Sequence, residues 1–130
     1  MALAEATIQI PLRWRDLDLL GHLNQSVYHE LLEEGRGALF ASLGDRGFPF
    51  VLVHVELDYR HEVRKADAHV DVTCRVAKLG RSSLTTNDRI ALRDGTVAAE
   101  GSSVLVAWDP DTRGTRALSF EERQALGETS

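Results

Sequence analysis

The chain has 130 residues, 43% of them hydrophobic, and a formal charge of -5 at pH 7 with histidine neutral. That length suits a single domain (1–130) with its own core and is too short for two, while the acidic balance with scattered basic residues argues against a nucleic-acid surface. The lone Cys74 excludes an internal disulfide, the first residues show neither half of a secretion signal, and no apolar run reaches the roughly 18 residues of a membrane span, so a cytoplasmic, membrane-free setting is expected.

Ile8, Ile10, Leu12 and Trp14 alternate with Gln9, Pro11, Arg13 and Arg15, which predicts a strand with one buried face. Pro11 has no N–H to donate and suits a sheet edge or a strand end. A helical period follows from about Gln25 to Leu43, with Val27, Leu31, Gly35, Ala38, Leu39 and Leu43 on one face and Glu30, Glu33 and Arg36 on the other. Asn24 or Ser26 can cap its start, and Gly44 stands where a left-handed C-terminal residue belongs. Gly35 and Gly37 lower helix propensity, so close approach of a backbone or ligand is expected there. After the break at Arg46-Gly47-Phe48-Pro49, a second strand places Val51, Val53, Val55, Leu57 and Tyr59 opposite His54, Glu56, Asp58 and Arg60. A charged loop from His61 to Asp67 leads to a third strand, with Val70, Val72, Cys74 and Val76 on its apolar face. Beyond the Lys78–Ser82 turn, Leu84, Thr86, Ile90 and Leu92 keep the same rhythm, with Asp88 read as an interruption. Asp94-Gly95 signals a tight hairpin, and the small apolar run from Val97 to Trp108 reads as a central strand. Ser119 and Glu122 have capping-box spacing, so a short C-terminal helix is expected.

The order of strand, long helix and then about four strands joined mostly by hairpins gives an α+β fold built on an antiparallel sheet. One helix cannot cover both faces of that sheet, so the other face is expected to be polar or buried in an oligomer. The chemistry concentrates where the first strand hands over to the helix, from Arg13 to Tyr28, in a run holding Asp16, Asp18, Gly21, His22, Asn24 and Gln25.

Asp16-Leu17-Asp18-Leu19-Leu20-Gly21-His22-Leu23-Asn24-Gln25-Ser26-Val27-Tyr28, followed by Glu34-Gly35-Arg36, resembles the signature of the 4-hydroxybenzoyl-CoA thioesterase family of hotdog-fold proteins. The Asp58-Tyr59-Arg60 segment and the Val63–Asp67 and Leu79–Ser83 turns resemble family landmarks in the same order, so the resemblance covers about residues 6–108 and leaves 109–130 as an extension. Two positions depart from the usual wording: Gln25 replaces a common asparagine, and Gly35 replaces a common alanine. The resemblance implies a sheet of about five strands wrapped around the long helix, assembly of dimers into a homotetramer or a larger assembly, and active sites at the dimer interface. It also implies an acyl-CoA substrate; the sequence holds no C-x-x-C pair and no H-E-x-x-H, and Asp16, Asp18, His22 and His29 match no ligand spacing, so neither cofactor nor metal is expected.

On that reading Asp18 supplies the carboxylate, as nucleophile or as general base. The backbone N–H groups around Asn24 and Gln25, at the positive end of the helix dipole, receive the oxyanion. Gly21, His22 and Tyr28 are the expected substrate contacts beside them. Coenzyme A carries phosphates, for which Arg81 with Ser82 and Ser83 in the turn after the third strand are the first candidates, and Arg64 with Lys65 the next. Two other readings fit the same fold. An enoyl-thioester hydratase or dehydratase would need a histidine such as His22 as its acid–base partner, and a non-catalytic acyl-thioester-binding protein would leave the pocket idle.

Overall fold

The computed structural model describes residues 3–42 and 49–128. The helix end at Leu43, the cap at Gly44 and the Arg46-Gly47-Phe48 break lie outside the described residues. In chain order the elements are β1 (Glu5–Pro11), α1 (Gln25–Ala41), β2 (Phe50–Tyr59), β3 (His69–Leu79), β4 (Ser83–Leu92), β5 (Val97–Asp109), β6 (Gly114–Thr115) and α2 (Phe120–Ala125). Single turns of 3-10 helix sit at Trp14–Asp16 and Lys65–Asp67. The main strands pair antiparallel in the order β1-β3-β4-β5-β2, with β6 attached to the end of β5.

Alternation decides which face the helix covers. Val70, Val72, Cys74 and Val76 of β3, Leu84, Ile90 and Leu92 of β4, and Ala99 and Leu105 of β5 are all buried. Helix α1 packs against β1, β3 and β4 and buries Val27, Tyr28, Leu31, Leu32 and Leu39 there. At Gly35 the helix comes close to the sheet: an added Cβ would lie 2.7 Å from Val72 Cγ1. At Gly37 no backbone approaches among the described residues: a Cβ there would meet none of their atoms within 4 Å. Leu126, just past α2, is fully buried with Leu39, Cys74 and Leu105, so the segment after Asp109 contributes to the core and is more than an extension. Helix α2 is held by the capping box of Ser119 and Glu122 and by the two-pronged pairing of Glu122 with Arg116.

Four sequence expectations change. Trp14 does not continue the first strand but is 80% exposed, because the ladder ends where Pro11 pairs with His69 and the chain then turns, closed by Asp16 on Arg13. Val51 and Val53 do not line the core: β2 is an edge strand, its register shifts between Leu52 and His54, and Phe50, Val55 and Leu57 are its residues that pack inward. Arg36 leaves the solvent face assigned to it and is buried, and Asp88 keeps its strand's rhythm instead of interrupting it. These two belong to one polar network: Arg36 donates to Ser103, Ser103 donates to Asp88 Oδ2 at 2.5 Å, and Thr86 donates to Asp88 Oδ1 at 2.9 Å. Beside it, burial and then the neighbouring Asp88 push the Cys74 thiol up to about 12, which makes it an inert core group.

Candidate active site

The loop between β1 and α1 is fixed by backbone pairing at both ends. Asp18 N–H donates to the His22 carbonyl at 2.8 Å, Gly21 N–H donates to the Asp18 carbonyl at 3.1 Å, and Leu17 bridges to Leu23. Such a reversal needs a residue with positive φ, which Gly21 supplies at +77°. Leu23 N–H then donates to the Val63 carbonyl and His22 bridges to Arg64, so the segment after β2 is sewn onto the loop.

Asp18 is exposed at the crest of this reversal. Its Oδ1 accepts from the N–H groups of Leu20 at 2.9 Å and His22 at 3.2 Å, while Oδ2 has no hydrogen-bond partner among the described residues. Asp16 is of another kind: it is 2% exposed and bound to the backbone and guanidinium of Arg13, so the two carboxylates do not form a pair. Asp18 borders hollows on both sides of the loop. One, of about 460 Å³, is lined by Asp18, His22, Gln25, Tyr28, Tyr59 and Glu62, together with Leu23, Arg60 and His61. The other, of about 700 Å³, is lined by Trp14, Leu17, Leu19 and Gly21 beside Arg15 and Asn24.

Asn24 caps α1, its side-chain oxygen accepting from Ser26 N–H at 3.1 Å. Its own N–H is engaged by the Asp16 carbonyl at 2.7 Å, and Val27 N–H returns to the Asn24 carbonyl at 2.9 Å. Gln25 N–H is therefore the first-turn donor left without a partner among the described residues, which narrows the expected oxyanion pair to one amide. Tyr28 is buried beneath the first hollow and meets Tyr59 edge-on, with centroids 4.9 Å apart; burial raises its hydroxyl pKa above the usual value.

The sequence-derived candidates thus divide. Asp18, Gly21, His22, Asn24, Gln25 and Tyr28 come together, and Arg64 joins them through its bridge to His22. Arg81, Ser82 and Ser83 do not. The site loop leaves β1 at the His69 end of β3, whereas their turn follows Leu79, roughly 30 Å away along an extended strand. That turn is tied to the C-terminal segment, with the Arg81 carbonyl accepting from Leu118 N–H and the Gly80 carbonyl from Arg123. Sequence reasoning passed over His61 and Glu62 as part of a charged loop. Their position directly after the Asp58-Tyr59-Arg60 landmark was the signal that could have found them.

A model of the thioesterase-like superfamily matches residues 12–126. The long-chain acyl-CoA thioesterase FadM of Escherichia coli strain K12 is 29% identical over 91% of this chain and 94% of its own length. Among solved structures, a thioesterase from Thermus thermophilus, crystallised with coenzyme A and Zn, is 30% identical, covers 92% of this chain and 90% of its own, and superposes with a TM-score of 0.84. A predicted thioesterase from Bacillus stearothermophilus is 28% identical over 95% of this chain and 94% of its own, with a TM-score of 0.79.

Proposed function

The chain belongs to the thioesterase-like superfamily, and from that premise we propose that this acyl-CoA thioesterase of the hotdog fold works through Asp18. The observation that supports the assignment is the division of labour within one carboxylate: two backbone N–H groups tether Oδ1, and Oδ2 stays unpartnered beside a hollow. Oδ2 adds to the thioester carbonyl, and the oxyanion forms at the Gln25 N–H, at the positive end of α1. Collapse breaks the C–S bond, the thiolate leaves with its electron pair, and water then opens the acyl anhydride. A nucleophilic role fits better than a general-base role because His22 and Glu62 line the same hollow and offer a separate acceptor for the proton of water.

Arg60 in the first hollow, Arg15 in the second and Arg64 bridged to His22 are the cations beside the site for the carrier's phosphates. Arg81, Ser82 and Ser83 serve a site only by reaching one on another copy of the chain. Assembly of dimers, into a tetramer, would also cover the exposed Trp14, Leu19 and Leu20 beside Asp18 and the outward Val51, Leu52 and Val53 of β2. Light scattering on a sizing column measures that assembly. No described helix is long and apolar enough to cross a membrane, and a cytoplasmic location accords with the free, buried Cys74.

Thiol release across short, medium, long and aromatic acyl-CoAs, with Asp18→Asn as control, tests the activity and ranks its substrates. Release that requires Asp18 is expected. Consumption of an enoyl-CoA without thiol release would identify a hydratase instead, and saturable binding with no turnover a binding protein.

A further inference from the structure

Glu62 lines the hollow beside His22, and the contacts around it separate its role from that of the histidine. Its Oε1 lies 3.3 Å from His22 Nε2 and 3.6 Å from Arg64 Nε, and the neighbouring backbones are locked, Leu23 N–H to the Val63 carbonyl and His22 to Arg64 by a bridge. On the other side of the same histidine, the His22 N–H and carbonyl both hold Asp18. Arg64, Glu62 and His22 therefore stand side by side, and the His22 backbone ties them to the Oδ1 end of Asp18, whose Oδ2 is unpartnered among the described residues. The other charged or titratable groups lining the hollow are Arg60, His61, Tyr28 and Tyr59; Arg60 is engaged by Asp58 and Glu100, His61 Nδ1 by the Glu62 carbonyl, and the two tyrosines meet edge-on.

We propose that Glu62 is a positioning residue that holds the His22 ring so that His22 takes the proton of the hydrolytic water. The inference rests on the Asp18 reading and deepens it. The Glu62 carboxylate, 3.3 Å from Nε2, favours the tautomer with its proton there, which leaves the ring lone pair on Nδ1. Water adds to the acyl carbon of the Asp18 anhydride and passes a proton to Nδ1. The bond from the acyl carbon to Asp18 Oδ2 then breaks, giving back the carboxylate, and the imidazolium proton goes to the thiolate released earlier or to solvent. The net change is thioester plus water to acid plus thiol. The contact is exposed and contributes little to stability, so its effect belongs in turnover.

The test is a double-mutant cycle on thiol release. Glu62→Ala is expected to lower kcat about ten-fold with KM within about two-fold and an unchanged unfolding midpoint, because a displaced base costs rate and not ground-state binding. Glu62→Gln, which keeps an acceptor oxygen, is expected to restore most of that rate. In a His22→Gln background Glu62→Ala should have no further effect. The proposal is overturned if Glu62→Ala keeps parental kcat while Asp18→Asn is inactive, if its effect lies in KM alone, or if the effect persists without His22. Turnover that survives in Asp18→Asn overturns the nucleophile instead, so the two failures are distinct.

Discussion

Asp18 stands in an exposed loop with one carboxylate oxygen tethered by the Leu20 and His22 amides and the other unpartnered, whereas Asp88 is 3% exposed beneath α1 with its two oxygens taken by Thr86 and Ser103. Both aspartates sit among functional-looking neighbours, a histidine and amides for one, a cysteine, a serine and an arginine for the other. What separates them is satisfaction. A buried carboxylate whose lone pairs are filled specifies packing, and a half-tethered one at the edge of a hollow is positioned to react. The same division runs through the arginines: Arg36 is held inside the network, and Arg64 stays with the site.

If Asp88 is structural, Asp88→Ala leaves the Arg36 side of the network without its carboxylate and should cost about 3 to 5 kcal/mol in urea unfolding, with kcat near parental well below the transition. A smaller loss marks Glu122, whose carboxyl is held below the usual range chiefly by its hydrogen bond from Arg116. A depressed folded pKa contributes stability above the unfolded value and loses it as pH falls through the folded one. Glu122→Gln should therefore cost about 1 to 3 kcal/mol at neutral pH, and its unfolding curve should converge on the parent's as the solution is acidified below the ordinary carboxylate range. Gly35→Ala forces a Cβ against Val72 and should cost about 1 to 2 kcal/mol despite its gain in helix propensity. Gly37→Ala, two residues on and in open space, should instead stabilise by about 0.5 to 1 kcal/mol, and thermal melts of the pair read the contrast.

The strands and the long helix were legible because their periods are clean: Val70, Val72, Cys74 and Val76 could face only one way, and Asn24 announced the helix start. The site loop was legible through its residue types and its resemblance to a family. What the sequence did not disclose is tertiary. Arg36 reads as a surface residue until a hydroxyl from β5 waits beneath it, and Asp88 reads as a fault in a strand until Thr86 and Ser103 close around it. Which of several amides stays free at a helix start depends on where Asp16 sends its carbonyl, so Gln25 could not be separated from Asn24 by spacing alone. The distance from Arg81 to the site is likewise a matter of sheet order, since a turn resembling a family landmark carries no label for the end of the sheet it occupies.

The contrast between the two aspartates comes down to one rate. Thiol release by Asp18→Asn should be measured at a temperature where its unfolding curve overlays the parent's. The expected result is a loss of kcat of at least about a thousand-fold, since the substitution removes the reacting oxygen's charge and leaves the fold in place. A kcat within a few-fold of the parent on the same acyl-CoA would contradict the assignment of Asp18.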